Sequence, residues 1–213
     1  EIKEALRIAD FACQLGANGL IIQDLGLSQI IRRNLPQIEL HASTQMAVYN
    51  LAGAIEIKEL GFSRVVLARE LSKENIEYIT KNCGIETEVF VHGALCYSYS
   101  GMCLMSSVIG RRSGNRGRCA QPCRLPYSIN GKTGCILSLK DLAMIDEVKS
   151  LSKMGVASLK IEGRMKRPEY VGAVTRAYKN AVYSSKNIKE DNIRLSKIFS
   201  RSGFTKGYYI SDK

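Results

Sequence analysis

EVFVHGALCYSYSGMCLMSSVIGRRSGNRGRCAQPCRLPYSINGKTGCILSLKD, from Glu88 to Asp141, is the stretch around which the chain is organised. Its first residues, with Glu86 and Thr87 ahead of them, read as a buried strand ending at Val91, with His92 and Gly93 at its tip. The residues past Gly93 are too rich in Gly, Ser and Arg to read as regular structure. Five of the seven cysteines lie here, and four of them are spaced C-x6-C-x15-C-x3-C: Cys96, Cys103, Cys119 and Cys123. The two end residues are acidic and nothing between them is. Seven basic residues stand there instead, Arg111, Arg112, Arg116, Arg118, Arg124, Lys132 and Lys140. With those two ends counted outside, the remainder of the chain has 24 basic residues against 20 acidic, so +7 of the formal +11 comes from residues 89–140.

The composition sets outer limits. With 213 residues, 45% hydrophobic and 24% charged, the chain has the make-up of a soluble globular protein of one large domain, or a domain with an appendage. No run of 18 apolar residues exists, so neither a transmembrane helix nor a membrane partner is expected; the expected cytoplasmic location rests on the cysteines. The chain opens on an amphipathic stretch without Met or a signal-type apolar region. An odd, unevenly spaced set of cysteines in a chain large enough to fold unaided argues against a disulfide scaffold. It favours a reducing compartment and a metal or catalytic use of the thiols. The basic balance calls for an anionic partner: RNA, DNA, a phosphorylated metabolite or anionic lipid.

Outward from the central stretch, the chain reads as alternating helices and strands. Ile2, Ala5, Leu6, Ala9, Ala12 and Cys13 form one helical face closed by Gly16. Gly19–Gly26 is a short apolar strand with a polar tip, succeeded by a helix over Leu27–Asn34 that stops before Pro36. Ile38–Ala42 is a strand opening into Ser43–Gln45, and Ala47–Ile55 marks a helix running to Gly61. Arg64–Ala68 is a strand tipped by Arg69 and Glu70. Ser72 caps the next helix, with Leu71 and Ile76 as its staple. After the cysteine stretch, Ser138 and Asp141 have capping-box spacing and predict a helix to Met154, stapled by Leu137 and Leu142. Ala157–Ile161 is a strand tipped by Glu162 and Arg164. Pro168 opens a helix to Tyr183. Residues 186–213 add one more helix and an edge strand or extended cap in RSGFTKGYY.

This rhythm, with short connections, predicts a mainly parallel sheet covered by helices. Five strands are fewer than a closed barrel needs. A doubly wound open sheet and an incomplete (β/α)8 barrel both fit the pattern. In either, Asp24, His41–Gln45, Arg69, Glu70, His92, Glu162 and Arg164 gather at the C-terminal strand edge, where active sites are built.

Four thiolates brought together repel one another and need a soft cation. A [4Fe–4S] cluster and a four-cysteine zinc site both fit the count, and a site without metal stays open. Cys135 is a substitute ligand. Cys13 and Cys83 read as small core residues. His41 reads equally as a hydrogen-bonded core residue. The arginines either offset thiolate charge or hold a phosphate backbone. No HExxH or GxSxG motif is present. A peptidase would have to use a nucleophile such as Cys96 with His92 as base, which leaves the other cysteines and the positive run unexplained. For RNA modification, His92, Glu70 and Glu162 are the candidate proton-handling residues, and Arg111, Arg112, Arg116, Arg118 and Arg124 the phosphate-binding ones. A non-catalytic RNA-binding protein stabilised by zinc or a cluster is a third reading.

EVFVHGALCYSYSGMCLMS, together with HASTQMAVYN, GFSRVVLAREL, RSGNRGRCAQPCR, SLKDL, SLKIEGRMKRPEYV and RSGFTKGYY, resembles the peptidase U32 family, the collagenase-like proteases, across essentially the whole chain. RSGNRGRCAQPCRLPY and MKRPEYV make it most similar to the branch that forms 5-hydroxyuridine in tRNA. The resemblance implies an incomplete TIM-like barrel over residues 1–185 with a Cys/Arg-rich insertion at 93–136, and the start of a C-terminal extension at 186–213. The family's early barrel strands have no counterpart before Glu1, so exposed barrel edges are expected to pair with another copy. It also implies a [4Fe–4S] cluster on Cys96, Cys103 and Cys119, with Cys123 or else Cys135 as the fourth ligand. The implied activity is oxygen-independent hydroxylation of a tRNA wobble uridine, with prephenate as the hydroxyl donor; the older family name implies proteolysis.

Overall fold

The structure, a computed structural model, describes residues 1–184 and 187–210. The elements run α1 (Ile2–Gln14), β1 (Gly19–Ile22), α2 (Leu25–Asn34), β2 (Glu39–Ala42), α3 (Leu51–Glu59), β3 (Arg64–Val66), α4 (Lys73–Asn82) and β4 (Glu86–Ala94). The cysteine stretch holds α5 (Met105–Gly110) and the hairpin β5 (Tyr127–Ile129) and β6 (Lys132–Gly134). Then come β7 (Asp141–Ala143), α6 (Val148–Met154), β8 (Ser158–Ile161), α7 (Pro168–Tyr183), α8 (Ile188–Ile198) and β9 (Phe204–Thr205). The expected domain boundary at 185–186 lies outside the described residues.

Strands β1, β2, β3, β4 and β8 lie side by side in chain order, all parallel. This is the sequential arrangement of part of a barrel, and the five strands coincide with the five read from the sequence. Among the described residues the sheet stays open. Its helix-facing side is the core: Leu40, Ala42, Val65 and Val91 are 0% exposed, as are Ala54, Val148, Leu151 and Val174 from the covering helices. Burying such side chains stabilises by about 1.5–3 kcal/mol for each of the larger ones. Caps set the helix starts. Asp24, Asn50 and Ser72 accept the backbone N–H groups of Leu27, Gly53 and Asn75, respectively. Pro168 occupies the first turn of α7, as expected.

Two more strands make the sheet mixed. β7 runs antiparallel to the tip of β4 and carries β9 as its parallel neighbour. A bulge between Phe90 and His92 makes this possible. Before it, the Glu88 carbonyl accepts Leu67 N–H from the β3 side and the Thr87 carbonyl accepts Ala157 N–H from the β8 side. Beyond it the parity is exchanged: Val91 accepts Met144 N–H from β7, and His92 accepts Glu162 N–H from β8. β7 thus occupies the edge of β4 that the short β3 leaves open. Gly93, at φ +107°, lies where β4 meets the end of β8, and any side chain there would collide with the Glu162 carbonyl.

This arrangement corrects the capping-box reading of Ser138 and Asp141. Asp141 is the first residue of β7, 1% exposed, and its carboxylate accepts the Arg201 guanidinium at 2.6 Å and the Arg201 N–H at 2.9 Å. Ser138 Oγ accepts from Arg124 instead, and Leu142 is buried in the core. The helix is confined to Val148–Met154, behind a 3-10 turn over Ile145–Glu147. A buried carboxylate paired across 60 positions outweighs a local cap worth about 1 kcal/mol.

Replacing Arg201 by Met leaves the Asp141 carboxylate buried without its cation. The expected loss is roughly 3 kcal/mol in urea unfolding. Arg201→Met with Asp141→Asn should recover part of it, and a single variant as stable as the parent would contradict the role given to this pair.

Candidate functional site

Parallel register brings the ends of β3, β4 and β8 to one edge, and the loops that leave this edge carry most of the sequence-predicted residues. Glu70, just past β3, accepts Ser100 N–H at 2.6 Å and Ser100 Oγ–H at 2.7 Å. Ser100 is 0% exposed and sits at φ +42°, a conformation that costs a non-glycine residue on the order of 1–3 kcal/mol. The Glu70 carboxylate therefore fixes the turn between Cys96 and Cys103 to the strand edge. Gln45, past β2, donates to Asn115 at 3.1 Å and ties down the arginine loop in the same way. Arg164, past β8, lays its guanidinium directly against Gly117, so a side chain there would have to displace it.

All seven cysteines are free thiols. Cys103 Sγ accepts Met105 N–H and Cys119 Sγ accepts Gln121 N–H, both at 3.3 Å. An N–H two residues on, aimed at sulfur, is the hydrogen bond by which a protein supports and tunes a thiolate ligand. Gly114 lies between the Cys103 carbonyl and the Cys119 side chain, and Ser106 of α5 accepts Ala120 N–H at 2.9 Å, so the two segments are held together. Burial pushes the Cys123 thiol up; Arg124 opposes this, and Cys96, Cys119 and Cys103 add to it. Cys123 is thus within electrostatic reach of each of the other three sulfurs. Among the described residues, no three His, Cys, Asp or Glu side chains are arranged so as to hold a metal ion. Cys135 stands exposed just after the β5–β6 hairpin, Cys83 is 1% exposed in the core and Cys13 packs against it.

His92 is enclosed. It is 1% exposed, with the rings of Tyr178 and Phe204 at 5.4 Å and Tyr170 at 6.0 Å. Tyr178 donates to the Val91 carbonyl at 2.7 Å, so its oxygen is left to accept Met144 N–H at 3.0 Å and His92 Nδ1–H at 3.2 Å. That places the ring proton on Nδ1 and leaves Nε2, a buried acceptor, without a partner among the described residues. Burial, chiefly, pushes the imidazole down to about 4; Asp141 opposes this and Lys166 adds to it. Glu162 is half-buried, and one of its oxygens accepts Arg164 N–H at 2.8 Å. His41 pairs with Glu39 at 3.2 Å on β2.

The arginines divide in two. Arg111, Arg112, Arg116 and Arg118 are exposed. Arg112 Nε donates to the Arg118 carbonyl at 2.9 Å, and Arg116 meets Glu1 at 3.4 Å at the surface. Arg124 turns inward, donating to Ser138 Oγ at 3.0 Å, to the Leu139 carbonyl at 2.8 Å and to the Leu95 carbonyl. It clasps the start of the stretch to its end.

Sequence reasoning passed over two residues of this edge. Arg69 was placed at a strand tip without a role. Its guanidinium carbon lies 4.0 Å from the centre of the Phe90 ring, and its buried Nε has no hydrogen-bond partner among the described residues. Burial pushes its pKa down, against the pull of Glu162, Cys96 and Glu70. The signal available was an Arg-Glu pair directly after a buried apolar run. Ser100 carried no local signal, because its burial depends on Glu70, thirty positions away.

The model of peptidase family U32 matches residues 1–213, and the chain belongs to that family. It is 36% identical over 217 aligned positions to the 23S rRNA 5-hydroxycytidine C2501 synthase of Escherichia coli K12, covering 99% of this chain and 32% of that protein. It is 38% identical to tRNA hydroxylation protein P1 of Bacillus subtilis 168, over 77% of this chain and 42% of that one. With a protein named collagenase from Porphyromonas gingivalis W83 it shares 33% identity, over 97% of this chain and 55% of that one. The chain thus spans less than two thirds of the length of each. No helix among the described residues is long and apolar enough to cross a membrane.

The enclosed imidazole makes stability depend on pH. Unfolded, His92 titrates near 6.5; folded, near 4. Between these values the unfolded chain binds the extra proton, so the contribution is complete above pH 6.5 and is lost as pH falls toward 4. It amounts to roughly 3 kcal/mol. The slope of unfolding free energy against pH in this window should be smaller by close to one proton in His92→Gln. Equal slopes in the two proteins would show that the imidazole is not held neutral.

Proposed function

We propose that this chain is part of an RNA-modifying enzyme, acting in oxygen-independent hydroxylation of a tRNA wobble uridine with a [4Fe–4S] cluster on Cys96, Cys103, Cys119 and Cys123. The observation that carries this reading is the pair of backbone N–H groups aimed at Cys103 and Cys119, with Cys123 in electrostatic reach of Cys96, Cys103 and Cys119 and exposed arginines in the loop between Cys103 and Cys119. The donor set suits the group: four soft sulfurs, two already accepting the hydrogen bonds a thiolate ligand needs. When bound, such a cluster supplies an electron-transfer or Lewis-acidic centre. Zinc is the alternative occupant of the same thiols, and prephenate is the hydroxyl donor that the family resemblance suggests. The names of the Escherichia coli and Bacillus subtilis relatives support hydroxylation of RNA as the reaction class.

In this reading the chain's own residues divide the work. Arg111, Arg112, Arg116 and Arg118 meet the phosphate backbone. The surface pair of Arg116 with Glu1 offers little competition, since exposed pairs are worth at most about 1 kcal/mol. Glu162 has an oxygen available to exchange a proton with a base brought to the strand edge. Glu70 holds the Cys96–Cys103 turn, and His92 supports β4 from behind. A peptidase built on Cys96 and His92 would need an imidazole that reaches out to a nucleophile, and this one is packed among three rings. A non-catalytic RNA-binding role is the remaining competitor. It predicts binding without turnover.

Nucleoside mass spectrometry of tRNA tests the activity, comparing a deletion strain with one carrying the gene back. Loss and recovery of 5-hydroxyuridine-derived nucleosides is the expected result; unchanged levels contradict the proposal. Cys119→Ser should reduce cofactor retention several-fold, and retention at the parental stoichiometry would refute that ligand. Reversing Arg116 and Arg118 to Glu should weaken tRNA binding about tenfold or more at low salt, with metal content unchanged. Unaltered affinity would remove the arginine loop from the interface.

A further inference from the structure

The loop leaving β8 and the start of α7 enclose, with the end of α8, a cavity of 540 Å³. Met165, Tyr170, Ile198 and Phe199 give it its apolar lining, and Lys166, Arg167 and Glu169 its charged one. The Lys166 ammonium lies 2.9 Å from the centre of the Phe199 ring and 5.4 Å from that of Tyr170. Arg201 approaches Phe199 as well, at 5.4 Å. The three neighbouring cations differ in one respect. Arg201 is bonded to Asp141 and Gln121, and Arg124 to two carbonyls and a hydroxyl. The ammonium of Lys166, with three N–H donors, has no hydrogen-bond acceptor or ion-pair partner among the described residues. Burial pushes its pKa down, and repulsion from Arg201 and Arg124 adds to this, against the pull of Asp141 and Glu162.

Two further features point to a ligand. Met165 is held at φ +61°, in the left-handed region, with its side chain 89% exposed. That conformation strains a bulky residue, and such residues cluster at ligand clamps and active sites as well as in turns. Arg164, one residue before it, rests on Gly117 of the arginine loop. A polyanion lying along Arg111–Arg118 therefore meets this cavity next. Its volume is within the range of small-molecule sites and accommodates one nucleotide, not a base-paired helix.

We propose that this cavity receives one nucleotide of a single-stranded RNA segment, with a phosphate on the Lys166 ammonium and the base among Met165, Ile198 and the edge of Tyr170. The inference rests on the RNA reading and adds where the strand enters. An anion at Lys166 supplies the missing acceptor and offsets the charge of Arg201 and Arg124. The apolar part of the lining, Met165, Ile198 and Tyr170, offers the flat face of a base a surface to lie on, while Arg167 and Glu169 form the polar part.

Calorimetric titration of the purified chain with 5′-UMP, a short single-stranded oligouridylate and inorganic phosphate tests this. It is independent of cluster loading and of hydroxylation, so failure of the modification assay and failure of the pocket are separate results. UMP is expected to bind, the oligonucleotide more tightly, and inorganic phosphate at least tenfold more weakly than UMP. Lys166→Met should weaken UMP at least tenfold, and Lys166→Arg should keep it within about threefold. Met165→Glu, at an outward-pointing position, is the second variant. It should weaken UMP similarly while leaving thermal unfolding unchanged. Parental UMP affinity in both Lys166→Met and Met165→Glu, or inorganic phosphate binding as tightly as UMP, would overturn the proposal.

Discussion

The exchange of partners along β4 is the constraint on which the rest of the structure depends. Nine residues of one strand serve β3, β8 and β7, and the bulge between Phe90 and His92 lets the tip of β4 bond to β7 on the side that β3 serves lower down. Without it, the strand tip would leave a row of backbone groups unpaired at the edge where the loops must be anchored, and each buried unpaired group costs about 1–3 kcal/mol. The bulge also reverses the side on which His92 projects. Phe90 carries the guanidinium of Arg69 on its face, while His92 turns to the rings of Tyr170 and Tyr178 on α7. One irregularity thus sends one aromatic ring toward the charged groups of the site and another into the packing behind it.

The charged groups at this edge mostly hold backbone. Glu70 keeps Ser100 in a left-handed turn, Asp141 receives Arg201, and Arg124 joins Leu95 to Leu139. These bonds compensate for a long stretch with little regular structure, in which helix and sheet ladders cannot satisfy the polar backbone. Cys123 stands within electrostatic reach of Cys96, Cys103 and Cys119, while Arg111, Arg112, Arg116 and Arg118 face water. A basic surface loop over a set of thiols is the combination that the proposed function uses.

The five parallel strands were legible because short apolar runs and glycines mark them, and Ser72 begins the helix it is read to cap; Asp24 and Asn50 cap helices that the sequence pattern starts at Leu27 and Ala47 instead. The cysteine spacing marked the site. Three features were not legible, and each depends on a distant partner. Asp141 reads locally as part of a capping box, yet Arg201 draws it into a strand. Strand alternation would put Phe90 and His92 on one face, and only Gly93 hints at the bulge. Lys166 lies in a charged loop whose composition gives no sign that its ammonium is desolvated against Phe199. Local propensity cannot encode such pairings, because their energy comes from groups that meet only in the folded chain.

The central proposal is that four thiols at one strand edge hold a [4Fe–4S] cluster. The most direct measurement is iron, acid-labile sulfide and zinc content per chain after anaerobic purification, read together with the visible spectrum. The account predicts about four irons and four sulfides with a broad absorption near 400 nm. One tightly bound zinc without sulfide, or no metal at all, would contradict it.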